Sequence, residues 1–216
     1  MIMVSKSNRD ESDGDQDEGH TQVDGDERLI YFTGGVSESN VSTAIEALFV
    51  MSFRDKHKPI HMLIETYGGS VDSMFALYDA MHYIPCEITT IALGKVMSAG
   101  VLIFAAGHKG KRLIAPHARL MTHPASGNLE GNIYELQNEL SEINRQEELW
   151  FDAMVRETGK PRKFFKDLNL KREDQYLTPA QCIKVGIADR FLYDIPTTFK
   201  KSTKKSSNTN SSRRRK

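Results

Sequence analysis

The sequence predicts an α/β fold in which parallel strands are joined by helices. Short apolar strands rich in β-branched residues occur at Arg28–Gly34, Ile60–Glu65 and Ile88–Leu93. Between them, Ser39–Phe53 and Val71–Tyr83 carry apolar residues at helical spacing. The connections are short, and this alternation is typical of parallel strands with helical crossovers.

The chain has the length of a single domain flanked by charged segments. Its 216 residues include 29 basic and 29 acidic side chains, so the formal net charge is 0. Residues 1–27 nevertheless carry nine acidic and two basic side chains, and residues 200–216 carry eight basic ones. We expect a disordered acidic arm over residues 1–27, a folded domain over residues 28–195 and a disordered basic tail over residues 196–216.

Several classes of protein are disfavoured by the composition. No apolar run reaches the length of a membrane span and no signal-peptide pattern opens the chain, so we expect no membrane contact. Cys86 and Cys182 lie far apart in apolar stretches, which favours a reducing cytoplasm over a disulfide framework or a zinc site. Phe164 and Phe165 are expected to pack inward, so we predict no nucleic-acid surface beside them.

Ser98 lies at a predicted turn between a strand and a helix. Residues 94–96 break the chain after the strand that ends at Leu93, and an apolar helix begins at Met97. The first amides of a helix have no intrahelical partner, so the amide of Ala99 could stabilise an oxyanion formed next to Ser98. A serine here is also typical of a simple helix cap, and position alone leaves both interpretations open.

A histidine and an aspartate occupy positions where catalytic groups are common. His123 follows a predicted strand at Ala118–Thr122, at the carboxyl end where open α/β sheets place their sites. Asp174 lies in a loop before a predicted helix at Ala180–Val185. With Ser98 they supply a nucleophile, a base and an orienting carboxylate. Taken singly, His123 also fits a structural histidine and Asp174 an ordinary turn aspartate.

The longest predicted helix runs from Ile133 to about Glu157. Its apolar residues form one narrow stripe, and charged side chains occupy the other faces. Because a small domain does not need a helix of this length for its own core, we interpret it as projecting and packing against another subunit. An ordinary surface helix is the alternative. Two further short strands are predicted at Leu113–Ala115 and Ile187–Tyr193.

Several motifs resemble one known family, the proteolytic subunit of the Clp ATP-dependent protease. Two runs carry the resemblance, TYGGSVDSMFALYDAMHYI and EITTIALGKVMSAGVLIFAAGHKGKRLIAPHARLMTHPASG. They match the family's Gly-Gly loop, its nucleophile-bearing GxxxSxG run, its GxKGxR turn and its strand that ends in the catalytic histidine. The segment EDQYLTPAQCIKVGIAD resembles the third motif, which carries the catalytic aspartate. The resemblance covers roughly residues 28–193.

The resemblance implies a serine endopeptidase with a ClpP/crotonase-like α/β fold. That fold is built of repeated β-β-α and βαβ units, with the long helix as a protruding handle. Ser98, His123 and Asp174 would form the catalytic triad, and the amides of Gly69 and Ala99 would form the oxyanion hole.

The resemblance also implies how substrates and partners are bound. An extended substrate would bind as an added strand beside the Gly-Gly loop and the segment Pro124–Gly127, contacting Gly68, Ser70, Val71 and Pro124. The subunits would form seven-membered rings stacked in pairs as a homo-oligomer that degrades polypeptides. An AAA+ Clp ATPase partner would use the ATP, so this chain would need no cofactor and no metal.

The sequence departs from the family pattern in places that bear on the ATPase partner. The acidic arm replaces the N-terminal segment that forms axial loops in the family. His61 and Leu63 replace aromatic residues that help to line the docking pocket for the ATPase. Thr66-Tyr67 replaces the usual Ser-Pro before the two glycines.

Three alternatives to a Ser-His-Asp peptidase stay open. One is a serine-lysine enzyme like a signal-peptide peptidase or a phage prohead protease, in which Lys95 would serve as the base. Another is an acyl-CoA enzyme of the crotonase fold, which uses glycine-rich oxyanion loops without a triad. The third is a non-catalytic ring subunit.

Overall fold

The computed structural model describes residues 20–124, 126–127, 130–169 and 174–194, together with the backbone of Met3–Val4. The strands are β1 (Met3–Val4), β2 (Gln22–Asp24), β3 (Leu29–Val36), β4 (Ile60–Gly69), β5 (Ile88–Met97), β6 (Arg112–Ile114), β7 (Arg119–Thr122), β8 (Ser126–Gly127), β9 (Gln175–Leu177) and β10 (Arg190–Phe191). The helices are α1 (Glu38–Arg54), α2 (Val71–Tyr83), α3 (Ala99–Ala105), α4 (Ile133–Thr158), α5 (Arg162–Asn169) and α6 (Pro179–Val185). A 3₁₀ turn follows at Leu192–Asp194.

The core of the fold is a parallel sheet in the order β10-β6-β5-β4-β3, with β2 antiparallel at one edge. β7 pairs in parallel with the second half of β5, and β9 pairs antiparallel with β7. The predicted α/β class, with parallel strands and helical crossovers, is confirmed. Helix α2 has the predicted bounds, and Ser37 is the N-cap of α1, where its side chain accepts from the Asn40 amide.

The predicted break at residues 94–96 is wrong, because β5 continues to Met97. The strand changes neighbours at this point: Thr90–Ala92 pair with β6, whereas Lys95–Met97 pair with β7. Gly94, at φ 49°, occupies the irregular step between the two pairings. The two glycines of the Gly-Gly loop likewise lie inside β4 rather than after it.

Short elements at both ends of the domain also differ from the prediction. Strand β2 lies within the range assigned to the acidic arm, so the folded domain begins before Arg28. Strand β9 was not predicted, and the predicted strand at 187–193 contracts to β10 followed by the 3₁₀ turn. Strands of two or three residues show no full alternation, so periodicity does not detect them. Apart from Met3–Val4, residues 1–19 of the predicted arm and all of the basic tail lie outside the described residues.

The helix that follows Ser98, the predicted nucleophile, is enclosed by the core. All seven residues of α3 are buried, and α3 contacts β4, β5, α2 and α4. Trp150 and Phe151 of α4 are buried near Phe165 of α5, which fixes the C-terminal end of the long helix. Its N-terminal part is more exposed, and Ile133, Tyr134 and Leu140 are exposed apolar residues there. Within the ranges described, no helix combines the length and apolar character needed to cross a bilayer.

Arg112 and Asp189 form an ion pair that ties the end of the domain to β6. The guanidinium of Arg112 donates to both carboxylate oxygens of Asp189, over 2.9 Å from Nε and 2.5 Å from Nη2. It also donates over 2.8 Å to the backbone carbonyl of Glu157 in α4. Burial raises the pKa of Asp189, but hydrogen bonds from Arg112 and from the Gly110 amide outweigh burial and leave this pKa below its ordinary value.

The substitution Asp189→Asn is expected to lower the free energy of unfolding by about 3 kcal/mol at pH 7, because it leaves the buried guanidinium of Arg112 without a charged partner. The contribution of Asp189 is complete above its unfolded-state pKa of about 3.9 and is lost as the pH falls through the lower folded-state pKa. Urea denaturation followed by circular dichroism at pH 7 and below pH 4 measures both effects.

Glu87→Gln is the matched control, because Glu87 pairs with Lys111 over 2.8 Å while both side chains are nearly half exposed. An exposed pair contributes little, so the loss should be much smaller. Equal losses in the two variants, or a difference that does not shrink in acid, would contradict the role given to Asp189.

Candidate active site

Ser98 forms a sharp elbow between β5 and α3. Its backbone has φ 53° and ψ −123°, and among the described residues only Arg28 and Ser98 are non-glycine residues with positive φ. Such a conformation costs about 1–3 kcal/mol and persists where surrounding structure enforces it. The side chain makes no capping hydrogen bond to α3, so the interpretation of Ser98 as a simple helix cap is wrong.

The elbow directs the Ser98 hydroxyl to His123. The Ser98 Oγ lies 2.9 Å from His123 Nε2, and both residues are about 95% buried. The Ser98 amide donates over 2.8 Å to the carbonyl of Met121 in β7, two residues before His123. This bond fixes the hydroxyl and the imidazole relative to each other. A hydroxyl at this distance from an imidazole nitrogen can transfer its proton to it.

The environment of His123 favours the neutral imidazole, which is the form that can accept a proton. Burial lowers the pKa of His123 below its ordinary value of 6.5. A hydrogen bond with the backbone of Pro124 and the charge of Asp174 act in the opposite direction and offset part of this effect. The imidazole is therefore available as a base at neutral pH.

Asp174 lies beside the Ser98–His123 pair without being bonded to it. It precedes β9, where Gln175 is paired with Thr122 in antiparallel register, so Asp174 and His123 are the next residues on neighbouring strands. Its charge acts on His123, but Asp174 is exposed and no hydrogen bond between these two described residues is present. The structure therefore brings together two of the three predicted catalytic residues and places the third next to them. Hydrogen bonds of catalytic groups are often loose without substrate.

The Gly-Gly strand end packs directly against the nucleophile. A Cβ added to Gly68, whose φ is 98°, would lie 2.5 Å from Ser98 Cβ and 3.1 Å from the amide nitrogen of Ala99. Gly69, at φ 152°, lies against the backbone of Val36 in β3. Of the two predicted oxyanion donors, the amide of Ala99 follows Ser98 directly at the start of α3, and the amide of Gly69 follows Gly68, which packs against Ser98. Their role in binding an oxyanion stays a prediction.

Thr66 positions this strand end, a function that sequence reasoning missed. Thr66 is fully buried, and its hydroxyl donates over 2.5 Å to the Gly34 carbonyl and accepts over 3.0 Å from the Gly68 amide. Its methyl group fills the space that a Cβ on Gly100 would need. A threonine before a glycine pair gives no sequence signal for this role, because two of its partners, Gly34 and Gly100, come from segments distant in the sequence.

A cleft of about 660 Å³ opens beside Ser98 and His123. Three of the predicted substrate residues line it, Gly68, Ser70 and Val71, and so do four residues that were not predicted, Tyr67, Asp72, Met121 and Gln146. Gln146 reaches the cleft from α4 and donates over 3.3 Å to Asp72.

The other predicted part of the substrate site differs from the expectation. Pro124 is half-buried and does not line the cleft, although its backbone contacts His123. Ser126–Gly127 pairs in parallel with Met3–Val4, and this N-terminal strand also contacts β4. The chain's own strand therefore pairs with part of the segment at which the substrate strand was predicted. Ala125 lies outside the described residues.

Lys95, the base required by the serine-lysine alternative, is held by other groups. Its Nζ lies 3.5 Å from Glu65 Oε1 and 4.1 Å from the centre of the Tyr67 ring. In the ranges that the structure covers, no group of three or more histidine, cysteine, aspartate or glutamate side chains could hold a metal ion.

Gly68→Ala should lower kcat/KM for peptide hydrolysis by about 100-fold or more, because the new methyl group displaces Ser98 from His123 and small displacements of reacting groups cost this much. Gly35→Ala is the matched control, since Gly35 pairs with Gly68 across the sheet but has no atom near its Cβ position. Activity and circular dichroism are measured on both variants. A fully active Gly68→Ala enzyme would show that the close contact seen here does not control the nucleophile.

Comparisons with known proteins agree with the geometry. A family model for Clp protease matches residues 20–194. An ATP-dependent Clp protease proteolytic subunit 1 from Rhodococcus jostii is 35% identical over 169 residues, which is 77% of this chain and 76% of the relative. An ATP-dependent Clp protease proteolytic subunit from Borreliella afzelii is 31% identical over 77% of this chain and 83% of its own length. A proteolytic subunit 2 from Corynebacterium jeikeium is 32% identical over 76% and 78%.

Proposed function

The chain belongs to the Clp protease family and is a Clp-type serine protease, and we propose that Ser98, His123 and Asp174 carry out its peptide-bond hydrolysis. The observation that carries this proposal is the 2.9 Å contact between Ser98 Oγ and His123 Nε2 at a strained elbow. A serine that served only as a cap would bond its own helix, and this one faces a buried, neutral imidazole instead.

The proposed reaction assigns one role to each of the three side chains. Ser98 Oγ attacks the peptide carbonyl while His123 Nε2 takes up its proton, and a covalent acyl-enzyme forms after the leaving amine accepts that proton from His123. Water then attacks the acyl group by the same route. Asp174 orients the imidazole and stabilises its charged form, for which its carboxylate must move from its exposed position into contact with His123.

The developing negative charge on the carbonyl oxygen is stabilised by the amides of Gly69 and Ala99. Ala99 is the first residue of α3, so its amide also benefits from the positive end of the helix dipole. Preorganised donors of this type account for a large part of the rate enhancement in acyl transfer. The glycines permit the approach, because a side chain on Gly68 would collide with Ser98.

The substrate binds in an extended conformation along the end of β4. Its acyl side runs past Gly69, Ser70 and Val71, which line the cleft, and pairs with backbone groups there. On its opposite side the substrate pairs with Ser126–Gly127, which now pairs with Met3–Val4. A bound substrate strand therefore displaces Met3–Val4. Backbone pairing of this kind accepts many sequences, as degradation of unfolded polypeptides requires.

Membership of the family implies an oligomeric ring assembly that works with a Clp ATPase. Seven-membered rings stacked in pairs are our more specific proposal, supported by the exposed apolar residues Ile133, Tyr134 and Leu140 on α4. The ATPase uses ATP, so this chain needs no cofactor. The free, buried thiols of Cys86 and Cys182 support a cytoplasmic location.

Ser98→Ala is expected to lower hydrolysis of a short fluorogenic peptide by about 10⁴-fold or more, because it removes the nucleophile. His123→Ala should be similarly inactive. The exposed residues Ser42 and His117 provide matched controls, and Ser42→Ala and His117→Ala should keep the wild-type rate. Analytical ultracentrifugation should find the same assembly for all variants.

The alternatives give different results in these assays. Full activity of Ser98→Ala rejects Ser98 as the nucleophile. Activity retained in His123→Ala would favour the serine-lysine alternative. A ring assembly of the wild type that hydrolyses no peptide, even with a Clp ATPase, would identify a non-catalytic subunit.

The acid limb of the pH profile of kcat/KM should have its midpoint below 6.5, because burial lowers the pKa of His123 from that value. Activity rises with pH as the imidazole loses its proton and becomes able to accept one from Ser98. The residual activity of Asp174→Asn should have its midpoint at a still lower pH, because the charge of Asp174 raises the pKa of His123 in the wild type. A midpoint above 6.5, or a shift of Asp174→Asn to higher pH, would contradict this assignment.

A further inference from the structure

Tyr67 lines the active-site cleft and carries a largely exposed aromatic ring, and no step of the proposed reaction requires it. Residues along β4 alternate between buried and half-buried. Among its ten residues only Tyr67 is largely exposed, with 60% of its surface accessible to solvent. It lines the cleft together with Ser98 and His123, and it immediately precedes Gly68. A large apolar ring at this position can bury the side chain of a bound substrate.

The ring is held in position by two charged neighbours. Glu65 and Tyr67 are two residues apart on β4, so they lie on the same face of the sheet. Lys95, on the adjacent strand β5, lies with Nζ 4.1 Å from the centre of the Tyr67 ring and 3.5 Å from Glu65 Oε1. Glu65 in turn lies over Gly94, where an added Cβ would be 2.9 Å from its carboxylate.

This arrangement fixes the ring without making the cleft strongly charged. The cation–π contact restrains Tyr67 before substrate binds, and preorganised contacts lose less entropy on binding. Glu65 balances the charge of Lys95, so the exposed part of the ring offers an apolar surface rather than an anion site. A large apolar or aromatic side chain gains more from this surface than a small one.

We propose that Tyr67 forms the wall of the subsite for the substrate residue on the leaving-group side of the scissile bond, P1′, and selects large apolar or aromatic side chains there. The proposal rests on the proposed peptidase function. In the binding mode proposed above, the acyl side of the substrate runs past Gly69, Ser70 and Val71, which follow Gly68 along the cleft. Gly68 is the residue that packs against Ser98, and Tyr67 precedes it on β4, so in the same binding mode the leaving-group side passes Tyr67.

The test uses internally quenched peptides that differ only at P1′, with alanine or phenylalanine. The wild-type enzyme should cleave the phenylalanine peptide with a kcat/KM about tenfold higher, the discrimination usual for one apolar contact of this size. Tyr67→Ala should reduce the ratio of the two kcat/KM values to near one, and Tyr67→Phe should keep it. Lys95→Met should give an intermediate ratio, because the ring remains but is less restrained.

Tyr193→Ala provides the matched control, because Tyr193 is 72% exposed and lies in the 3₁₀ turn, outside the residues that line the cleft. It should keep the wild-type ratio. A second peptide pair, with P1′ fixed and P1 varied, should give the same ratio in wild type and Tyr67→Ala. Circular dichroism and ultracentrifugation verify that each variant is folded and assembled.

An unchanged P1′ ratio in Tyr67→Ala overturns the proposal, and so does a change that appears only when P1 is varied. Comparing wild type with Ser98→Ala distinguishes a failure of the Tyr67 proposal from a failure of the proposed peptidase function. Where wild type cleaves the peptides and Ser98→Ala does not, the ratio tests Tyr67 alone. Where Ser98→Ala cleaves as well as wild type, or wild type cleaves neither peptide, both proposals fail.

Discussion

The hydrogen bond from the Ser98 amide to the Met121 carbonyl, 2.8 Å long, is the contact on which the site depends. It joins the end of β5 to β7. The hydroxyl of Ser98, which follows β5, therefore meets the imidazole of His123, which follows β7. The positive φ of Ser98 is unfavourable by itself, and a completely buried α3 on one side and a paired β5 on the other maintain it. The reactive geometry is thus enforced by the core rather than by the loop residues.

The glycines around the nucleophile follow from the packing of β4 against this elbow. Gly94 leaves room for Glu65, Gly100 leaves room for Thr66, and Gly68 approaches Ser98 itself. Gly94 and Gly100 of the GxxxSxG motif therefore each make room for a side chain of β4. The spacing of the motif therefore reflects close packing of β4 against the end of β5 and the first turn of α3. Tyr67, between Thr66 and Gly68 on β4, is exposed and lines the cleft.

The local sequence pattern predicted the elements whose structure is determined by residues within the same segment. Helix α2 has a full apolar period, and its bounds follow from the sequence. The course of β5 could not be predicted, because it depends on exchanging one neighbour, β6, for another, β7. Motifs identified Ser98 and His123, whereas Thr66 and Met121 act through backbone partners in distant segments, and such partners leave no mark in a single sequence.

Asp174, the proposed third member of the triad, is held less firmly than Ser98 and His123. His123 Nε2 faces Ser98, so the other ring nitrogen is the one left for an orienting partner. The backbone of Pro124 is hydrogen-bonded to His123, and the charge of Asp174 acts on the ring from nearby. In the described part of the chain, Asp174 is joined to the sheet through β9, a strand of three residues paired with β7. Ser98 and His123 are therefore positioned by the buried sheet, whereas the proposed completion of the triad by Asp174 depends on a short edge pairing that can shift with little cost to the core.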